Sequence, residues 1–376
     1  MRIKLFSIAI ASLLISEVTF AQIDTTSNKI ALLEQRIEQL EKNTKKNSVD
    51  WDKINRYAHP SGYVQLGYNW ADDNTSTFKI TRAMFTLSGN LYKGDYGKLD
   101  YKFQVNFAGS PKILDLYACY MPVKEFGVKL GQYKSPLTYE NQMRTPVTLE
   151  FVNYALAVER FARMSDKDIA GFSTSGRDLG IDFLGSAIHK DGFSVINYDL
   201  AIFNGYKLNT TDDNKSKDIV GRLIITPIKP FSLFTYFQRG EGAYPIYDEA
   251  TRSYTPQTDN KYVKMYRYGG GFSYKADKDK GFARAELIGG KTGGMKSLGA
   301  YFAAGVGVAK GLMILGRVDY VDEDTSYKGI YETNYTTGLL WRPLKNLDLK
   351  LNYTYKQIPK GFTDKNCIFF QLTYNY

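Results

Sequence analysis

The sequence predicts an all-β protein: a 16-stranded antiparallel transmembrane β-barrel preceded by a short N-terminal coiled-coil helix. Three observations point there. From Gly62 onward, apolar and aromatic residues recur at every second position, which sets one face of each strand in an apolar phase and the other in water. Aromatic residues make up 15% of the chain, with 30 Tyr and 22 Phe, although the mean hydropathy is negative. Finally, short and long connections alternate along the chain.

Composition excludes several other classes. The chain has 376 residues and, after the first twenty, no run of 18 apolar residues, so it is not a polytopic helical membrane protein. So many aromatics do not stay solvated in a disordered chain. Two cysteines are too few for a disulfide scaffold. The formal net charge is +10, from 49 Lys+Arg against 39 Asp+Glu.

Residues 1–21 read as a secretory signal peptide. Arg2 and Lys4 precede an apolar core from Leu5 to Ile15, and Thr19-Phe20-Ala21 supplies small residues for cleavage after Ala21. Cleavage lowers the net charge by one. Residues 22–57 read as a coiled-coil segment and linker. Ile30, Leu33, Ile37 and Leu40 recur at spacings of 3, 4 and 3 within a helix over 29–42, with Ile at a and Leu at d. That stripe fits a coiled coil or a helix packed on its own domain. Asn43 to Tyr57 is polar.

Residues 58–376 form the barrel domain. Strands are predicted near 62–70, 78–91, 98–108, 112–121, 127–134, 177–185, 193–203, 219–226, 231–238, 262–274, 282–290, 297–308, 310–320, 331–342, 347–356 and 367–376. The stretch from Leu99 to Phe107 shows the alternation without a break, as does that from Leu347 to Tyr355. An even strand count closes the sheet and leaves no backbone edge in lipid. All eleven prolines fall outside strand interiors in this parse, as a residue without an N–H should. Connections after even strands are short, such as Pro343-Leu344-Lys345-Asn346, and those after odd strands are mostly longer, such as 204–218 and 239–261. The exception is the turn near Ala108–Pro111. Tyr68, Trp70, Tyr101, Phe107, Tyr274, Tyr320, Tyr353 and Tyr376 sit at outward parity near strand ends, where a membrane-interface girdle belongs.

The longest connection, Ser135 to Gly176, follows strand 5 and narrows the pore if it folds inward. Its charged residues nearly cancel, which leaves Arg160-Phe161-Ala162-Arg163 as its one candidate anion cluster. Parity places Arg82, Lys102, Lys129, Arg222, Arg267, Arg284, Arg317 and Lys350 on the lumen wall, with Asp100, Asp115, Asp182, Asp199, Glu286, Asp319 and Asp348. Arg284/Glu286 and Arg317/Asp319 read equally well as wall salt bridges at i,i+2. Arginine suits phosphate because its fork offers several donors.

Enzyme chemistry finds little support. There are two histidines, and neither His59 nor His189 stands where a membrane-face Ser/His pair would be needed. No Cys/His cluster suggests zinc, and Gly269-Gly270-Gly271 lies in a strand rather than before a helix. Cys119 and Cys367 fall on strands 4 and 16. No cofactor, metal or nucleic-acid partner is expected.

Several stretches in order resemble the phosphate-selective porin O and P family. They are Phe78-Lys-Ile-Thr-Arg82-Ala83, Val128-Lys-Leu-Gly131-Gln132-Tyr133-Lys134-Ser-Pro136, Glu159-Arg160, Gly176-Arg177-Asp178-Leu179-Gly180, Tyr198 to Gly205, Asp218 to Leu223, and Leu315-Gly-Arg317-Val-Asp319. The leading coiled coil looks like Bacteroidetes members of that family. The resemblance implies a homotrimer of 16-stranded barrels in a Gram-negative outer membrane, in contact with lipid, with an inward-folded third outer loop. It also implies arginines that guide anions, at positions corresponding to Arg82, Arg160, Arg177, Arg222 and Arg317. The expected function is passive diffusion of small hydrophilic solutes with a preference for anions such as phosphate. The alternatives are a general porin, a plugged surface barrel acting through its outer loops, and a soluble secreted β-protein.

Overall fold

The computed structural model describes residues 31–40, 54 and 56–376, apart from 74, 213, 215, 251–252, 277–279, 328 and 359–362. The chain divides into two units, 1–54 and 55–376. In the first, residues 31–40 are helical (α1), and Leu33, Ile37 and Leu40 are all exposed. The signal peptide, its cleavage point after Ala21, Ile30 and nearly all of the polar linker lie outside the described residues.

In the second unit sixteen strands close into a barrel: β1 (His59–Ala71), β2 (Ser76–Gly94), β3 (Gly97–Asn106), β4 (Lys112–Val123), β5 (Phe126–Lys134), β6 (Arg177–Lys190), β7 (Phe193–Phe203), β8 (Asp218–Ile228), β9 (Phe231–Asp248), β10 (Ser253–Lys275), β11 (Gly281–Thr292), β12 (Met295–Ala309), β13 (Leu312–Asp322), β14 (Tyr331–Leu344), β15 (Leu347–Gln357) and β16 (Lys365–Asn375). Each strand pairs antiparallel with its neighbours in sequence. β1 pairs with β16 from Tyr63↔Asn375 to Ala71↔Cys367, which closes the sheet. Closure removes the edges that would otherwise leave backbone donors unpaired.

The two-residue period does what parity requires. On β15, Leu351 and Tyr353 are exposed on the outer face, while Asp348, Lys350, Asn352 and Thr354 are buried toward the lumen. The short connections lie at one end of the barrel. One of them, Asp191-Gly192, has φ of 46° and 79°, the backbone of a two-residue hairpin turn that matches strand twist.

Four expectations need correction. The segment 239–261 is not a loop: β9 and β10 run on beyond the barrel wall as a hairpin to Asp248 and Ser253. The prolines are not all outside strands. Pro245 and Pro256 face each other across that hairpin, which puts both missing donors on one rung, and Pro60, Pro122, Pro227 and Pro343 lie within a few residues of strand ends. Nor are the aromatics only outward. Trp70, Phe107, Tyr274, Tyr353 and Tyr376 are exposed as expected, but Tyr133, Phe203, Phe234, Tyr236, Phe282 and Tyr301 point inward and are buried. Nor is Ala108–Pro111 the one short link at the long-loop end: 72–75, 249–252 and 293–294 are shorter.

The inward aromatics explain where the core is. Residues 135–176 enter the barrel, closed at their base by Ser135 N donating to Gly176 O at 2.9 Å. Two short helices, α2 (Tyr139–Met143) and α3 (Leu156–Phe161), carry the segment. Leu149, Phe151, Ala155, Leu156, Val158 and Phe161 pack as one apolar cluster against inward residues of β8, β9 and β11–β14, including Phe234, Phe282, Ile288, Leu315 and Leu340. The hydrophobic core of this protein therefore lies inside the barrel, with a smaller cluster of Tyr63, Met84 and Leu114 packed against Val147 of the loop.

Candidate pore and its inward loop

The loop is pinned by charge as well as by packing. Arg284 on β11 is 1% exposed and does not pair with Glu286 as its spacing suggested. It reaches into the loop, binding Glu140 at 2.7 Å and Glu150 at 2.8 Å. Glu140 in turn accepts from Ala155 N at 2.6 Å, which locks the two helical turns together. Glu286 accepts Tyr139 N at 2.8 Å and the Tyr301 hydroxyl at 2.9 Å. Arg317 and Asp319 do form the expected wall pair, at 2.8 Å, but both also hold the loop: Asp319 accepts Leu156 N at 2.9 Å, and Arg317 donates to Asn153 O at 2.9 Å. Lys350 donates to Leu149 O at 2.5 Å, and Asn352 accepts Val152 N at 2.7 Å. Strands 11, 13 and 15 thus present polar groups that complete the backbone bonds a buried loop cannot make for itself.

The Arg160-Phe161-Ala162-Arg163 cluster does not form. Arg160 pairs with Glu323 at 2.6 Å and Glu332 at 3.1 Å. Arg163 turns elsewhere, to Asp178 at 3.3 Å and Asp218 at 3.0 Å, while its backbone N donates to Asp168. It sits at φ 53°, a left-handed conformation that a tight reversal imposes. Phe161 between them lies under Arg267 at 5.4 Å. Arg267 itself is 1% exposed and donates to the Thr292 hydroxyl.

The other wall candidates are also mostly engaged. Lys102 and Arg177 share Asp115, each at 2.7 Å. Lys129 sits 3.6 Å from Asp182 and over the Tyr133 ring. Arg222 binds Asp199 through Nε at 3.0 Å. Among the described residues Arg82, Arg267 and Lys350 make no ion pair; Arg267 and Lys350 are buried, whereas Arg82 is half-buried and donates to the Gln65 amide oxygen at 2.8 Å.

Arg82 stands beside the loop: its partner Gln65 also donates to Pro146 O at 3.2 Å. Three cations not singled out from sequence as wall candidates stand with it. Lys79 on β2 faces inward and is close enough to Glu159 of α3 to interact with it electrostatically. Lys356 on β15 lies over the Phe369 ring at 6.0 Å, and Lys167 belongs to the loop. Lys167, Lys356, Arg160 and Glu159 line one polar gap of about 60 Å³ between α3 and the β13–β16 wall. Among the described residues Lys79, Lys167 and Lys356 make no ion pair either. Burial pushes the Glu159 carboxyl up to about 7, with Arg317 and Lys167 pulling the other way.

At the short-turn end the His189 ring lies 3.0 Å from the Ser194 hydroxyl through Nδ1 and 3.2 Å from Glu125 through Nε2. A Ser/His contact does exist. It stands on an exposed hairpin, with hydroxyl and carboxylate on the opposite ring nitrogens from those a serine nucleophile uses.

No protein-family model matches this sequence, and no curated protein matches it. Solved structures do. The barrel is similar to the anion-selective porin from Comamonas acidovorans, with a TM-score of 0.65 at 11% identity, covering 85% of this chain and 99% of that one. It is similar to the trimer form of OmpT, an outer membrane protein of Vibrio cholerae, with a TM-score of 0.61 at 10% identity, covering 85% and 99%. A porin variant from Rh. blastica matches with a TM-score of 0.51 at 12% identity, covering 85% and 100%. At these identities the likeness is one of fold: a closed 16-stranded barrel of the porin type.

Proposed function

We propose that the protein is an outer-membrane porin for passive diffusion of small hydrophilic solutes, with a preference for anions such as phosphate. One observation carries the preference. Most of the other inward cations are matched by carboxylates or loop carbonyls. Lys79, Arg82, Lys167 and Lys356 have no carboxylate partner among the described residues, and Glu159 is the acid near Lys79, Lys167 and Lys356. A narrow, low-dielectric passage with that surplus concentrates anions. Arg82, with most of its fork unused, is the group best suited to a phosphate oxygen. Conduction of this kind requires no cofactor.

The test is the reversal potential of single channels in a salt gradient. The wild type is expected to select anions, and Lys79→Glu with Arg82→Glu to reverse the sign. A cation-selective wild type would overturn the preference. Absence of any conductance would favour a plugged surface barrel, the reading to which the apolar seal between loop and wall lends support.

The pH dependence has a definite sign. Glu159 is protonated below about pH 7 and charged above it. Between pH 6 and pH 8 the passage gains one negative charge, so anion preference should fall as pH rises. Glu159→Gln should flatten that dependence. A wild-type profile already flat over this range would remove Glu159 from the passage.

The mature chain is read as beginning after Ala21, with residues 22–57 on the periplasmic side and a homotrimer as the working unit. The exposed stripe of Leu33, Ile37 and Leu40 supports association of that segment. Cross-linking with and without residues 29–42 separates the contributions: a trimer that survives deletion is held by barrel contacts.

A further inference from the structure

The outer face of β9–β12 carries a feature that conduction does not use. Arg239, Tyr266, Lys291 and Lys296 form one unbroken cross-strand row, through the pairings Tyr266↔Arg239, Tyr266↔Lys291 and Lys291↔Lys296. All four are exposed and point away from the lumen, since their neighbours Gln238, Met265, Arg267 and Thr292 are buried inside. Lys264 stands one rung higher on β10. At inter-strand spacing the row spans about 15 Å. It lies at the long-loop end of the barrel, where β11 and β12 are joined by the tight turn at 293–294.

Lys291 and Lys296 are directly opposed. Like charges so placed destabilise a strand pair unless something negative lies between them. Among the described residues none of Arg239, Lys264, Lys291 or Lys296 makes an ion pair. The flanking carboxylates are Glu241, opposite Lys264, and Asp322, which accepts from the Tyr320 hydroxyl. The row itself contains no acid.

Directly below it the surface turns apolar. The next rung is Phe237–Tyr268–Gly289–Leu298, and the one after is Thr235–Gly270–Leu287–Ala300. Gly270 and Gly289 supply no side chains, and Tyr266, Tyr268 and Leu287 stand around them. The result is a groove of about 800 Å³ on the outer face, with Lys291 and Lys296 at its mouth.

The geometry points to a binding site for a phosphate-bearing membrane lipid, its acyl chain in the groove and its headgroup phosphate between Lys291 and Lys296. This rests on the reading of the barrel as membrane-spanning. The charge row lies at interface height and the groove runs into the apolar belt, the arrangement an anionic lipid requires. A free phosphate ion would gain nothing from the groove.

The test uses the full chain reconstituted in vesicles of phosphatidylcholine with a minor fraction of phosphatidylglycerol. The protein is released in mild detergent, and retained lipid is counted by native mass spectrometry. The wild type should retain phosphatidylglycerol above its share of the vesicle. Lys291→Ala with Lys296→Ala should lower that enrichment on the order of tenfold, while heat-modifiable migration and conductance stay unchanged. Added inorganic phosphate should not displace the lipid; displacement would make the site a simple anion site and overturn the proposal. Equal enrichment in wild type and variant, or none in the wild type, also overturns it. Because conductance is read in the same vesicles, an inserted, conducting protein without enrichment removes only the lipid site. A protein that fails to insert removes the membrane reading as well.

Discussion

Arg284→Ala should open the barrel. The guanidinium is the common partner of Glu140 and Glu150, all three are buried, and Glu140 is fully excluded from solvent. Removing one partner of such a cluster leaves uncompensated charge in a dry site and costs about 3–5 kcal/mol. Two carboxylates would then face each other, with Arg144 at 3.8 Å from Glu150 as the remaining counter-charge. The barrel ladder does not depend on them, so the element that yields is the loop. Single-channel conductance should rise and become noisier, while heat-modifiable migration persists. Proteolysis within 135–176 should accelerate. The compensated variant, Arg284→Met with Glu140→Gln and Glu150→Gln, removes charge on both sides and should keep the loop docked. If Arg284→Ala conducts as the wild type does, the cluster does not hold the loop and apolar packing alone suffices.

This result bears on what the sequence could reveal. The barrel was legible because its period of two is imposed by lipid outside and water inside, strand after strand. The inward loop was legible from its length. What parity could not show is where each inward charge ends up, because partners are chosen by a loop distant in sequence. Arg284 and Glu286 sit two residues apart, yet neither pairs with the other: both turn to α2, at Glu140 and at Tyr139 N, and Arg284 also to Glu150.

Lys79 escaped for a local reason. Between Gln65↔Arg82 and Leu66↔Ile80 the ladder carries one extra residue on β2, Thr81. A bulge of this kind reverses parity along one strand. Counted back from Arg82, Lys79 falls on the lipid face; in the structure it shares the lumen with Arg82. The inward aromatics escaped because the sequence shows which face a side chain takes but not that the lumen holds an apolar insert. Glu159 and Lys356 were visible as charges, and only the position of the loop makes them neighbours across one polar gap.

Arg163 offers the second large effect, and a pH signature that separates charge from packing. Its guanidinium faces Asp178 and Asp218, and its backbone N donates to Asp168, whose other oxygen accepts Ala170 N at 2.7 Å. Burial already pushes the Asp168 carboxyl up to about 6, against the pull of Arg267 and Arg163. A carboxyl raised in the folded state favours that state when protonated. Its contribution is full below the ordinary aspartate range and is lost as pH rises through about 6. Arg163→Met keeps the stem but leaves three carboxylates around an empty charge position. At pH 8 the loss should be about 3–5 kcal/mol, by the same buried-pair reasoning. At pH 5 protonation of Asp168 relieves the crowding, so the gap in melting temperature between variant and wild type should narrow. A gap of the same size at both values would mean that Arg163 acts through its packing over Phe172, at 5.7 Å, and not through its charge. For the same reason, reversing both Arg160 and Arg163 would report loop docking before it reported ion selectivity, because four carboxylates lose their partners at once. Selectivity is better read at Arg82, where a charge can be changed with no ion pair to break.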